Sequence, residues 1–461
     1  MPKSRTAIVY GAVFAGATGA FLLVRFFGKS LVAPDTLVLP NPSYRAAPQA
    51  DMTLAQVLLA LVVILVVARA LGAGFRLLDQ PRVIGEMIAG ILLGPSLLGR
   101  ILPGLSAYVF PSTTLPLLSL IAQIGVILYM FLVGLRLDTK LLRRDLGTSI
   151  AISQASIVAP FLLGAALALW LYPVLSTSSV SFTEFALFMA VAMSVTAFPV
   201  LARILTDRQM ETSRIGTIAL ASAAAGDVTA WCLLALVVSV ARARLGQGVL
   251  TVALTVGFVA VIFYLVRPAI RSLAARRRPG GAVPPDAIVV LCVAVLLAAL
   301  ATERIGIHGL FGAFLIGVVV PHDSPLAGDV RGMLEGPVAL FLLPVFFAFT
   351  GLRTQIDLVH GYREWFICIL IVVVASAGKF GGSFIAARVT GSDWRQAACL
   401  GVLMNTRGLM ELIVLNVGLD LGVISPTLFT MLVLMAVVTT VATTPILQAV
   451  SPDAGVQPLK Q

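Results

Sequence analysis

Charge is scarce in this chain: 11% of its 461 residues are Asp, Glu, Lys or Arg, against 59% that are hydrophobic. That leaves too little polar surface to cover a soluble body of this length, so a soluble globular protein is excluded and lipid is the expected solvent. Acidic residues are the scarcer sign, 21 against 32 basic ones, and the net charge is +11. On a hydrophobic chain such an excess marks cytoplasmic loops and fixes topology, so no nucleic-acid partner is expected. Cysteine is nearly absent, and Cys232, Cys292, Cys368 and Cys399 lie inside apolar runs without the close spacing of a metal site or a disulfide framework. They read as buried small hydrophobes. A second aspartate deep in an apolar segment is also missing, which removes an intramembrane aspartyl protease despite the Gly226-Asp227 pair, because that chemistry needs two carboxylates sharing a proton. Neither an enzyme nor a cofactor is expected.

What the chain has is apolar length. Fourteen stretches of roughly 20 apolar residues, enough to cross about 30 Å of hydrocarbon, begin near Ala7, Thr53, Val83, Leu115, Ser149, Phe182, Ile215, Val249, Ala287, Ile307, Gly332, Trp365, Gln396 and Pro426. The third, tenth and eleventh are short or glycine-rich, and a re-entrant one would lower the count. The expected fold is therefore all-α and polytopic, with about 13–14 transmembrane helices. With a cytoplasmic N-terminus, 21 of the 32 Lys and Arg fall on the inside and 9 on the outside, leaving only Lys379 and Arg407 within helices. Both termini are accordingly expected in the cytoplasm.

The run from Ala7 to Phe27 follows Lys3 and Arg5 as the core of a signal peptide would, but it is long for one and no clean small-x-small cleavage site follows. It reads as an uncleaved extra helix, and residues 1–52 as that helix plus an outside linker rich in proline. A first membrane half spans 53–275, a basic cytoplasmic linker 276–285, a second membrane half 286–450 and a short cytoplasmic tail 451–461. Such a hinge near the middle is what two fused halves would leave.

Transporters built from repeats place their site where equivalent helices are interrupted near the bilayer midplane. The sixth segment carries Met193-Ser194-Val195-Thr196-Ala197-Phe198-Pro199, where Pro199 removes an amide donor and the hydroxyls of Ser194 and Thr196 can satisfy freed backbone groups. The thirteenth carries Met404-Asn405-Thr406-Arg407-Gly408, seven segments further on, the offset that a pair of repeats requires. A proline kink and a polar helix contact are the bland alternative. Ionisable residues are the next filter, because each costs roughly 2.5–3.5 kcal/mol at the centre of a membrane helix. Asp227, Lys379, Arg407 and Glu411 lie deep in segments, and Glu86 nearer an end. Arg407 and Glu411, four apart, can pair with each other, which leaves a structural role as open to them as ion binding. Glu86, beside Gly85 and one turn from Arg82, reads as structural. Asp227 has no charged neighbour in its own segment, and Lys379 is the candidate charge partner.

These residues resemble a family. The stretches Val83 to Ser96 and Phe131 to Leu135 look like the monovalent cation:proton antiporter-2 family, and Thr196 to Leu205 and Asn405 to Asn416 look like its cation/proton exchanger branch, known from plants and with bacterial relatives. The resemblance runs from about Thr53 to Ile446. It implies two inverted repeats in a sodium/proton antiporter fold, a dimerisation half and a mobile core half, two crossing broken helices, and a homodimer in the membrane, here a bacterial inner membrane. Carried over residue by residue, it implies Asp227 as the ion- or proton-binding carboxylate, Lys379 as the core lysine, and Thr196 and Asn405 within the breaks. Three departures stand out. Gly226 occupies a position that is usually Asp, Asn or Gln; Arg136 stands in Gly134-Leu135-Arg136-Leu137-Asp138 where relatives often have Glu; and the chain stops just past its last helix, so regulation by an attached cytoplasmic domain is not expected.

A carboxylate in a water-accessible, low-dielectric cavity is pulled toward its protonated form by desolvation and toward its ionised form by a nearby cation, so one such group can trade a proton for a metal ion. The expected activity is exchange of potassium or sodium for protons by alternating access around Asp227, with Ser194, Thr196, Asn405 or Thr406 and carbonyls at the breaks supplying further oxygens to the alkali cation. A single carboxylate makes the simplest cycle electroneutral. A degenerate family member acting as a channel, a regulator or a non-exchange membrane protein is the alternative that Gly226 and Arg136 motivate.

Overall fold

The computed structural model describes residues 3–34, 54–78, 80, 82–136, 146–208, 210, 213–242, 245–275, 284–305 and 309–450. The expected linkers at 35–52 and 276–283 and the tail at 451–461 lie outside the described residues. In chain order the α-helices are α1 (Lys3–Gly28), α2 (Leu54–Leu77), α3 (Arg82–Leu93), α4 (Leu98–Ile101), α5 (Pro103–Val109), α6 (Leu115–Arg136) and α7 (Leu146–Leu175). Then follow α8 (Phe182–Ser194), α9 (Phe198–Asp207), α10 (Arg214–Arg242), α11 (Leu245–Val261), α12 (Arg267–Ala274), α13 (Pro285–Ile305) and α14 (Gly309–Val319). The last are α15 (Pro325–Pro337), α16 (Leu343–Leu352), α17 (Gly361–Val389), α18 (Trp394–Met404), α19 (Leu409–Asp420) and α20 (Pro426–Val450). Among the described residues there is no strand, ten helical stretches are long and apolar enough to cross a membrane, and three shorter apolar helices accompany them. This is an all-α integral membrane protein.

The chain forms two compact units, and neither is a half of the sequence. One takes Met1–Pro42, Arg144–Leu234 and Gln355–Gln461; the other takes Ser43–Arg143 and Ala235–Thr354.

The second unit is held by glycines that let helix backbones touch. A Cβ added to Gly134 of α6 would stand 2.3 Å from the Phe314 carbonyl of α14, and one added to Gly317 would stand 2.2 Å from the Phe131 carbonyl of α6. Gly90 of α3 and Gly351 of α16 make a similar contact, with 2.5 Å or less to the facing backbone from either side. In lipid, where the hydrophobic effect does not drive helices together, such close approach supplies the packing. Two stretches of this unit pass through a π-helical turn, Ile262–Val266 and Val338–Leu342, and each turn stands just ahead of a proline, Pro268 or Pro344. Proline cannot donate to the carbonyl four residues back, and widening the preceding turn accommodates that loss without ending the helix. Arg136 pairs with Glu335, both side chains half-exposed. Glu86 belongs to this unit too, near enough to Arg69 and Arg82 for their charges to act on it, and the neighbouring Gly85 packs on the backbone of Gly72.

In the first unit α7 and α17 pack most extensively. Gly378 closes on Pro160 and Gly382 on the Ala155 carbonyl. The entry to α8 is fixed by a reciprocal cap, the Ser181 hydroxyl accepting from the Glu184 amide while the Glu184 carboxylate accepts from the Ser181 amide. Asp393 caps α18 through the Gln396 amide at 2.7 Å. Both caps begin helices that end abruptly after 13 and 11 residues, in the middle of what the sequence presents as continuous apolar segments.

Candidate functional site

The two interruptions lie in the first unit and meet. Residues Val195, Thr196 and Ala197 separate α8 from α9, and Asn405 to Gly408 separate α18 from α19. The Ala197 amide donates to the Thr406 carbonyl at 3.1 Å, so the backbones of the two breaks are joined directly. Pro199 falls in the first turn of α9, where a helix has no use for an amide donor. Gly408, at φ +155° and ψ −132°, adopts a backbone that an L side chain resists, and a Cβ there would meet Val200 of α9 at 2.7 Å.

Breaking α8 in the membrane interior strands the carbonyls of its last turn, and in lipid these must be satisfied by protein. Two buried cations do so. Arg407 donates to the Ala192 carbonyl at 3.2 Å and to the Met193 carbonyl at 2.8 Å, and Lys379 of α17 donates to the Ser194 carbonyl at 2.5 Å and to the Thr196 hydroxyl. Positive charge also suits the negative end of the helix dipole. Arg407 pairs with Glu411 at 2.8 Å with both side chains fully buried, and Thr440 of α20 holds the Arg407 backbone by bonds to its carbonyl and its amide. The hydroxyl of Ser194 turns away from the break, toward the Ile157 and Ala190 carbonyls.

Asp227 lies in α10 with 1% of its surface exposed, and neither carboxylate oxygen has a hydrogen-bond partner. Lys379 is close enough for its charge to act on Asp227, but the two form no contact ion pair; its ammonium is on the α8 end instead. Other buried oxygens without a partner in this unit include the Thr406 hydroxyl, the Asn405 side-chain carbonyl, one Glu411 oxygen, the Gln154 side-chain carbonyl and the hydroxyls of Ser153, Ser176 and Ser383. Asn405 also lines a cavity of about 290 Å³ with Ser376, Phe380, Thr439 and Thr443. Of the residues singled out in the sequence, Ser194, Thr196, Lys379, Asn405, Thr406, Arg407 and Glu411 thus stand at the paired breaks. Gly226 of α10 faces α7, Asp227 follows it in the same helix, and Glu86 belongs to the other unit. Ser153 and Ser383 were not among those residues. Their spacing on one face with Ser149 and Ser156, or with Lys379, is the signal that points to them.

A polytopic helical protein whose two broken helices join backbone to backbone, with a buried carboxylate in the same unit, is a secondary transporter in architecture. The chain belongs to the sodium/hydrogen exchanger family, whose transmembrane domain matches residues 57–450. It is 42% identical over 404 residues to the Na(+)/H(+) antiporter NhaS4 of Synechocystis, covering 87% of this chain and 98% of that one. It is 39% identical to cation/H(+) antiporter 18 of Arabidopsis thaliana and 34% identical to K(+)/H(+) antiporter 1 of Saccharomyces cerevisiae. These alignments cover 87% and 85% of this chain, but only 49% and 46% of the plant and yeast proteins. The fold is that of the sodium proton antiporter MjNhaP1 from Methanocaldococcus jannaschii, solved at pH 8, with a TM-score of 0.58 over 88% of this chain and all of that one at 14% identity.

Proposed function

We propose that this protein exchanges a monovalent cation, sodium or potassium, for protons by alternating access, with Asp227 as the group that both substrates occupy in turn. The observation that carries the site is the Asp227 carboxylate, buried in a membrane helix with both oxygens free of hydrogen bonds. An ionised carboxylate there needs a compensating charge, and either a proton or an alkali cation supplies it. One site with two mutually exclusive ligands is an exchanger. The relatives' names support both cations, sodium for the Synechocystis protein and potassium for the yeast one.

The cycle is electroneutral in this reading, one cation against one proton, because Lys379 stays on the α8 end rather than titrating with the carboxylate. The protein works as a homodimer in a bacterial inner membrane with both termini in the cytoplasm. Purified protein in sealed proteoliposomes tests the activity: an imposed gradient of sodium, potassium, lithium or rubidium should move protons in the opposite direction. Asp227→Asn should abolish that movement. A variant that exchanges at the wild-type rate would remove Asp227 from the mechanism.

A further inference from the structure

Position 226 carries no side chain, and a hydroxyl stands next to the space it leaves. A Cβ added to Gly226 would meet the Ser153 hydroxyl oxygen at 3.4 Å and Ile157 Cδ1 at 3.9 Å. Ser153 is fully buried on α7, and its hydroxyl has no hydrogen-bond partner. One residue further along each helix the same pattern continues. Gln154 donates its amide to the Thr229 hydroxyl at 3.5 Å and leaves its buried side-chain carbonyl oxygen unpartnered, and Asp227 has two unpartnered carboxylate oxygens. At Gly226 and Thr229 the contact between α7 and α10 therefore carries two oxygens that no proton donor claims, those of Ser153 and Gln154, and the residue that follows Gly226 in α10 adds the two of its carboxylate. Neutral and anionic oxygens together are the ligand set that an alkali cation prefers.

We propose that Ser153 is a specificity-determining ligand of the Asp227 site, its hydroxyl oxygen reaching from α7 to the cation in the place that a side chain at position 226 would occupy. The inference rests on the assignment of exchange to Asp227. It separates the two substrates. A proton bound to the carboxylate needs no further ligand, whereas an alkali cation stripped of water needs several neutral oxygens around it. Ser153 accordingly serves the cation and not the proton.

The test is cation-driven proton exchange in proteoliposomes, with the half-saturating sodium and rubidium concentrations and the pH profile measured for each variant. Ser153→Ala should raise half-saturation about tenfold while the maximal rate and the pH profile at saturating cation stay within about twofold of wild type. Ser153→Cys, nearly isosteric but offering sulfur in place of a hard oxygen, should do the same if the alanine variant does not fold. Ser153→Ala combined with Gly226→Asn places an amide oxygen on the opposite wall and should recover half-saturation to within about threefold. Wild-type half-saturation in Ser153→Ala or Ser153→Cys overturns the proposal, as does a loss of maximal rate alone. Asp227→Asn distinguishes the failure of the underlying assignment: exchange persisting in that variant refutes the Asp227 site whatever position 153 does.

Discussion

The ammonium of Lys379 sits on the broken end of α8 and makes no contact ion pair with Asp227, although both are fully buried in the same unit. Its hydrogen bonds go to the Ser194 carbonyl and the Thr196 hydroxyl. The lysine therefore holds the interruption in shape rather than neutralising the carboxylate by direct contact. Hydrogen bonds to a charged group contribute about 1.5–3 kcal/mol each. Lys379→Met should lower the melting temperature of the purified protein clearly, and Lys379→Gln, which keeps a donor, should recover part of it. Thermal melting in detergent measures both, and a Lys379→Met protein as stable as wild type would disprove the capping role.

Arg407 should matter more to folding than any other residue of the site. It joins three groups that cannot find water, the Ala192 and Met193 carbonyls and the Glu411 carboxylate. Removing one member of a buried pair destabilises by about 3–5 kcal/mol, because the other charge remains buried and unpaired. Arg407→Ala should yield little folded protein. Arg407→Ala with Glu411→Gln should fold better than Arg407→Ala alone. Yields of monodisperse protein by size-exclusion chromatography decide it, and equal yields would show that Glu411 is not the group left stranded.

Much of this was legible in the chain because apolar length and its interruptions are one-dimensional signals. Met193 to Pro199 and Met404 to Gly408 announce the breaks by composition, and the four-residue spacing of Arg407 and Glu411 announces their pair. The assignment of partners across helices was not legible. Lys379 meeting Thr196 depends on which faces of α17 and α8 are turned together, as does Ser153 standing beside Gly226. In a chain where nearly every face is apolar, periodicity does not select a face. The two compact units were hidden for a related reason: each gathers segments from both halves of the sequence, and no composition change marks the exchange at Leu234 or Gln355.

The glycine contacts of the second unit should tolerate no side chain. The Cβ atoms of Gly134→Ala or Gly317→Ala would press within 2.3 Å of a facing carbonyl oxygen, a backbone atom that cannot swing aside. Each substitution must push α6 and α14 apart along their length, so each should reduce the yield of folded protein several-fold. Gly328→Ala in α15, where nothing lies within 4 Å, is the control and should express like wild type. Membrane-fraction yields of the three variants test this directly, and normal yields from both Gly134→Ala and Gly317→Ala would refute the packing argument.

Arg136 offers the opposite case. Its pair with Glu335 is half-exposed on both sides, where ion pairs contribute about 0–1 kcal/mol and weaken with salt. Arg136→Ala should change melting by no more than a degree or two and leave exchange intact. A large loss of transport in that variant would give Arg136 a role that its geometry does not suggest.

The stoichiometry can be read from voltage. On the proposed cycle, in which the Asp227 carboxylate takes either one cation or one proton and Lys379 keeps its proton, no net charge crosses the membrane. A potential difference is worth about 2.3 kcal/mol per charge per 100 mV, so a cycle that moved one net charge would respond steeply to it. Proteoliposomes clamped with an ionophore for an untransported ion should therefore exchange at the same rate at every potential, following only the pH and cation gradients. If the rate instead climbs with membrane potential, a second group titrates during transport. Lys379→Gln then identifies that group, because removing the titratable ammonium should abolish the voltage dependence if Lys379 releases a proton when the cation binds.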